Sequence, residues 1–277
     1  KIKTNTSIME KLVQKEQIKE YTGKEEINDF RSKICLANVS YSYNENNNAI
    51  KDITFSFEKN KKYIIVGNSG GGKSTLLGLI NGSLEGYKGN ITIDGKRIED
   101  IDPKSLNRLI SIIHQNIFLF DDTIRNNITL FDNTITEKYL KEIIHIVGLE
   151  DLINKKGIDG KVGENGEFLS GGEKQRIAIA RALIKKAKIL LLDEATAALD
   201  LENSFNIENM ILKIPDLTLI VVSHKFVKEN LNKYDNILAI KDGQLKEVGT
   251  FQELISQKGY FYSLFNIVYG EGEIMNT

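Results

Sequence analysis

Eight consecutive residues, Gly67-Asn68-Ser69-Gly70-Gly71-Gly72-Lys73-Ser74, follow the spacing G-x-x-x-x-G-K-S. Their types suit one task, the grip of a phosphate chain. Glycines let a backbone curl until successive N–H groups face one anion, and the positive end of a following helix adds to the attraction. Lys73 is suited to reach β- and γ-phosphates. The Ser74 hydroxyl is suited to ligate Mg²⁺, the hard cation that accompanies nucleoside triphosphates. A second chemical pair, Asp193-Glu194, ends the aliphatic run Ile189-Leu190-Leu191-Leu192. In a parallel sheet, strand ends of one polarity share an edge, so Asp193 falls near Ser74 and joins the Mg²⁺ shell. Glu194, next along, can polarise the water that attacks the γ-phosphate. A third group, Leu169-Ser170-Gly171-Gly172-Glu173, combines the Ser-x-x-Glu capping pattern with two glycines. Capping alone starts any helix. The glycines add the close approach of backbone N–H groups to an anion.

These groups need elements that hold them. The apolar run 63–66 reads as a strand entering the Gly-rich turn, and 75–80 as the helix leaving it. Upstream, two β-rich runs between Ile34 and Phe57 flank the polar stretch 44–48 and predict an antiparallel hairpin; a further hairpin turns at Asp94-Gly95. Residues 117–186 read mostly as helix, with amphipathic spacing over 139–147 and 177–184. The chain then returns to buried strands at 189–192 and 219–222, whose unbroken Leu, Ile and Val suit a parallel sheet covered on both faces. Asn60, just before the strand that enters the Gly-rich turn, is a residue that tolerates positive φ.

Composition sets the limits. Thirty-seven Lys plus Arg oppose 38 Asp plus Glu, so the net charge of −1 supplies no general attraction to nucleic acid or anionic membrane. A single cysteine, Cys35, excludes an internal disulfide and a multi-thiolate zinc cluster, and reads as a buried strand residue. No apolar run approaches the roughly 18 residues that span a bilayer.

The 169–176 segment, Leu-Ser-Gly-Gly-Glu-Lys-Gln-Arg, lies 24 residues before Asp193. It resembles the LSGGQ-type signature of ATP-binding cassette (ABC) proteins, with Glu173 where Gln is more frequent. Other family elements follow in order. Tyr43 resembles the aromatic that stacks on adenine, with Tyr41 two residues away on the same strand face; Tyr43 is favoured. Gln115 resembles the glutamine that touches Mg²⁺, here preceded by His114 instead of Pro. Ala197-Ala198-Leu199-Asp200 resembles the D-loop, and His224 the switch histidine that reads the γ-phosphate. His114 and His145 have no such context. Val162-Gly163-Glu164-Asn165-Gly166 and the segment 118–128 resemble exporter-type elements that meet the membrane part.

The resemblance spans about 34–266. It implies an α/β fold: a P-loop NTPase (RecA-like) core with an antiparallel β subdomain and an inserted α-helical signature subdomain at about 117–186. It divides the chain into a linker (1–33), the ATPase domain (34–268) and a tail (269–277). It implies ATP and Mg²⁺, with Lys73, Gln115, Glu194 and His224 catalytic and Ser74, Gln115 and Asp193 at the metal. The nucleotide-binding set is Tyr43, Gly67 to Thr75, Gln115, Asp193, Leu169 to Glu173 and Asp200. In the family the signature serves the ATP of a second nucleotide-binding domain, identical or paralogous, so two ATP molecules lie head to tail. The expected partners are that second domain and an ABC transmembrane domain, with no nucleic acid. The opening at Lys1, polar and without an initiator methionine, fits a C-terminal fragment: soluble by itself, and at the cytoplasmic face of a membrane in the full-length protein. A soluble ABC protein acting on ribosomes or DNA is the rival reading. Only 96 residues separate Lys73 from Leu169, which leaves no room for the long coiled coils of repair types, and one cassette is present where ribosomal types carry two. A GTPase or kinase of the wider P-loop class is disfavoured by the signature and by His224.

Overall fold

The computed structural model describes residues 24–44, 47–224 and 227–269. The weak helical spacing of Ile8, Leu12 and Ile18 and most of the tail lie outside them. The predicted hairpin is β1 (Lys33–Asn44) with β2 (Asn47–Glu58), paired antiparallel. β3 (Lys62–Val66) starts a second sheet and leads through the Gly-rich turn into α1 (Lys73–Ile80). β4 (Lys88–Ile93) and β5 (Lys96–Arg97) form the second hairpin. At its turn Asp94 and Gly95 have φ values of 51° and 84°, the left-handed pair that a two-residue hairpin needs. α2 (Pro103–Leu109) then feeds β6 (Ile110–His114).

The inserted region follows. It holds α3 (Ile124–Thr129), α4 (Glu137–Val147), α5 (Glu150–Lys156) and α6 (Gly171–Ile184). It is less helical than its sequence reads, because 117–123 and much of 157–170 are loop. The chain re-enters the second sheet with β7 (Ile189–Asp193), crosses through α7 (Leu201–Leu212) to β8 (Thr218–Val222), and passes α8 (Lys228–Leu231) to β9 (Asn236–Lys241) and β10 (Gln244–Gly249). α9 (Phe251–Gln257) and α10 (Tyr260–Tyr269) end the described chain.

Two sheets result. β2-β1-β4-β5 is antiparallel throughout, whereas β10-β9-β3-β8-β7-β6 is parallel except for its β10 edge. The five residues of β3 and of β8 are all buried, as expected for strands covered on both faces. On one face the second sheet shares a core with α1, α2 and the antiparallel sheet, through residues such as Ile65, Leu77 and Ile34; on the other it packs on the inserted helices and α7, through Ile64, Ile177 and Ile207.

Residues 24–32, which read as the end of a linker, lie on this body. Ile27 and Phe30 are 6% and 0% exposed, Glu25 bridges Ile101, and the Ile27 N–H donates to Ser105 Oγ at 3.1 Å. Two apolar residues in a polar stretch carry no period, so nothing in the pattern announces their burial.

Asn60 has φ 63°; its N–H donates to Thr218 Oγ1 (2.8 Å) and its side-chain amide to Asp216 (3.3 Å). The turn before β3 therefore depends on a left-handed residue. Asn60→Val is expected to lower unfolding free energy in urea by about 1–2 kcal/mol and Asn60→Gly to leave it nearly unchanged. Equal losses for the two would mean that the side-chain bond, not the backbone, is what matters.

Candidate active site

The phosphate loop is shaped by exclusion. A Cβ on Gly67 (φ 151°) would stand 2.0 Å from the carbonyl oxygen of Ile240, and one on Gly72 (φ 98°) 2.3 Å from that of Ala49. No L side chain fits at either point, so the loop lies directly on β9 and β2. Hydrogen bonds secure it: Gly71 N–H donates to Asn68 O (3.1 Å), and Gly243 N–H to Gly71 O (3.2 Å). Gly72 stands at the N-cap of α1 and no side chain caps that helix, the condition under which a helix start receives an anion. Lys73 is 4% exposed and its ammonium donates to Gly67 O (2.9 Å) and Asn68 O (2.8 Å). Burial pulls its pKa down, opposed by the carboxylates of Glu194 and Asp193.

Parallel pairing brings the acidic strand end to the loop. β3 pairs β8 and β8 pairs β7, so their C-terminal ends share an edge. There Ser74 Oγ donates to Asp193 Oδ1 at 2.7 Å. One residue on, Glu194 has φ 51°, its N–H donates to Val222 O (3.0 Å), and its Oε1 lies 3.2 Å from His224 Nδ1. A left-handed Glu costs about 1 kcal/mol. The strain turns the chain sharply off β7 and leaves the carboxylate facing the histidine.

A cleft of about 540 Å³ opens over this edge. Ser69, Gly70 and Gly72 to Thr75 line it together with Tyr43, Gln115, Asp193 and Glu194. The Tyr43 hydroxyl lies 3.0 Å from Thr75 Oγ1, and the residue is 55% exposed at the rim. Tyr41 meets it edge-on, ring centres 5.1 Å apart, and packs on the core instead. Gly67, Asn68, Ser69, Glu194 and His224 border an adjoining cavity of about 260 Å³, closed by Leu264, Ile267 and Val268 of α10. His114 is a further cleft residue, its Nδ1 3.7 Å from Asp193 Oδ2. His145 pairs with Glu150 at 2.5 Å, away from the cleft.

The signature residues Leu169, Ser170, Gly171, Gly172 and Glu173 line neither cavity. Ser170 and Glu173 form the predicted capping box on α6: Ser170 N–H donates to Glu173 Oε2 (2.7 Å) and Glu173 N–H to Ser170 Oγ (3.3 Å). Asp200 caps α7, accepting from Asn203 N–H at 2.9 Å. A Cβ on Gly171 would come within 2.9 Å of Leu199 Cδ2, so the signature and the Asp200 loop pack on each other. Nearby, the segments 118–128 and 162–166 also touch: Val162 N–H donates to Asp122 O (3.0 Å) and Leu119 N–H to Asn165 Oδ1 (3.3 Å).

Residues 50–197 match the sequence model of a known family, described as ABC transporter. This chain belongs to the ABC transporter family. Within that family it is the ATPase domain. The ABC domain is 37% identical over 254 residues to a Staphylococcus aureus chain named as a multidrug export ATP-binding/permease protein, a match covering 90% of this chain and 44% of that one. It is likewise 37% identical over 256 residues to an ATP-dependent lipid A-core flippase of Vibrio parahaemolyticus, covering 90% and 43%. A bacterial Atm1-family ABC exporter, solved with ATP bound, superposes with a TM-score of 0.81 at 31% identity, over 90% of this chain and 44% of that one. The ABC domain thus spans less than half the length of these relatives. No helix among its described residues is long and apolar enough to cross a membrane.

Gly72→Ala is expected to cost about 2 kcal/mol or more of stability, from the φ and the clash together, and to abolish nucleotide binding measured by a fluorescent ATP analogue. Unimpaired binding in the alanine variant would show the loop able to shift away from Ala49.

Proposed function

We propose that this chain binds MgATP in the cleft between Tyr43 and the 67–75 loop and hydrolyses it with Glu194 and His224. We further propose that, as the C-terminal part of a longer chain, it drives export of a substrate across a membrane. The observation that carries the reading is the shared strand edge: Ser74 Oγ on Asp193 at 2.7 Å borders the cleft, and Glu194, 3.2 Å from His224, borders both the cleft and the adjoining cavity, each lined by the phosphate loop. The names of the relatives, all export or flippase proteins, favour transport over work on ribosomes or DNA.

The donor set fits Mg²⁺. A hydroxyl, a carboxylate and the amide of Gln115 face the cleft; these are hard oxygen donors, few enough that phosphate oxygens and water complete the shell, as Mg²⁺ prefers. The metal, when bound, neutralises charge that builds on the β- and γ-phosphate oxygens. In the proposed reaction the Tyr43 ring stacks on the base. Loop N–H groups and Lys73, released from its two carbonyls, bind the phosphates. Glu194 orients the attacking water and His224 holds the γ-phosphate.

The signature stands outside its own chain's cleft, yet it presents two glycines at a helix start. That placement supports a head-to-tail pair in which the 170–172 amides of one copy close over the ATP of the other, whether the second copy is identical or a paralogue. ATP then holds the closed pair by differential binding, and hydrolysis releases it. A transmembrane part of the longer chain, with this domain at the cytoplasmic face, completes the reading.

Glu194→Gln should keep ATP binding, lose turnover by about 100-fold or more, and elute as an ATP-trapped dimer on a sizing column; an unaltered rate removes Glu194 from the reaction. Ser170→Arg should bind ATP as a monomer and form no dimer. Dimerisation of that variant with ATP would leave the signature as a helix cap only.

A further inference from the structure

His114 lines the nucleotide cleft but has no part in the proposed reaction. β6 is the edge strand beside β7, and their parallel register sets His114 opposite Asp193. The two oxygens of that carboxylate therefore face different neighbours. Oδ1 accepts from Ser74 Oγ at 2.7 Å, and Oδ2 lies 3.7 Å from His114 Nδ1. At that distance the imidazole is close to the carboxylate without being hydrogen-bonded to it. The His114 side chain is 61% exposed, so little packing restrains its rotation towards the cleft.

A ring nitrogen beside Ser74 and Asp193 changes the chemistry of the donor set. Ser74, Asp193 and Gln115 offer oxygen, which suits Mg²⁺. Imidazole nitrogen is a softer donor, and first-row transition cations bind it with an affinity that rises from Mn²⁺ through Co²⁺ to Cu²⁺. Among the described residues no three His, Cys, Asp or Glu side chains gather to hold a metal by themselves. A cation in the cleft therefore depends on the oxygens of a bound nucleotide, and the imidazole can act only as an added ligand. One nitrogen in an oxygen shell leaves Mg²⁺ usable and favours its transition-metal competitors.

We propose that His114 is a metal-selectivity residue: with nucleotide bound, its imidazole joins the Ser74–Asp193 donor set and shifts the site's preference from Mg²⁺ towards divalent transition cations. This inference rests on the MgATP reading. It is tested on the whole chain with His114→Leu, which removes the donor, and His114→Gln, which offers oxygen in its place. Dissociation constants of a non-hydrolysable ATP analogue are measured with Mg²⁺ and with Co²⁺. Titrations without nucleotide correct for metal held at His145 and Glu150, which pair away from the cleft. Pulsed EPR of the Mn²⁺ complex reads the nitrogen coupling of a coordinated imidazole. The expected result is a preference for Co²⁺ over Mg²⁺ that falls about 10-fold in both variants. Mg²⁺-supported binding stays at the parental value, and the nitrogen coupling seen in the parent is lost. An unaltered preference overturns the inference, and so does a parent complex without nitrogen coupling. Equal weakening with both cations also overturns it, since it marks His114 as a structural neighbour of Asp193. Should His114→Leu fail to fold, His114→Gln decides alone by the same criteria. A parent chain that binds the analogue with neither cation overturns the MgATP reading itself, whereas binding with both at an unaltered ratio in the variants overturns this inference only.

Discussion

The parallel alignment of β3, β8 and β7 is the constraint on which the site depends. Because Ile65 pairs Val222 and Val222 pairs Asp193, three strands end together, and everything with chemical capacity is delivered at that edge. The phosphate loop leaves β3 there, the acidic pair leaves β7, and His224 leaves β8. None of these groups is placed by its own element alone. A one-residue slip of β7 against β8 would turn alternate side chains to the opposite face and carry Asp193 away from Ser74. The uninterrupted Ile, Leu and Val of these strands, buried on both faces, are thus part of the catalytic geometry as much as of stability.

Around that edge the chain accepts local cost for position. Gly67 and Gly72 leave no volume for a Cβ, and Glu194 is held in a left-handed conformation by the bond from its N–H to Val222. Lys73 is buried with its charge resting on loop carbonyls, a resting partner that a triphosphate replaces in the proposed reaction. These are expenses of the kind expected where function sets backbone shape. The signature shows the opposite case, since one capping box starts α6 while Gly171 beside it stays exposed.

The groups whose chemistry is written in consecutive residues were legible. The phosphate loop, the Asp193-Glu194 strand end and the Ser170–Glu173 box each sit where their local pattern implies. The hairpins and the α/β plan follow from period and turn residues. What stayed hidden depends on pairing across the chain. His114 comes near Asp193 because β6 and β7 align in that register, which neither segment discloses. Ile27 and Phe30 are buried by a surface that other elements build. The φ of Glu194 runs against the preference of its residue type.

One consequence concerns the order of synthesis. Lys62 on β3 is aligned with Leu219 and Tyr63 with Asn236, so both hydrogen-bonding flanks of this apolar strand are supplied by residues translated more than a hundred positions later. A growing chain on the ribosome therefore carries a finished phosphate-loop sequence beside a bare, sticky edge for most of its elongation. The antiparallel sheet, complete by Arg97, can pair in that interval, but it offers β3 no strand edge. Productive folding of this domain is consequently a late, nearly all-at-once event, exposed to aggregation until β8 and β9 emerge.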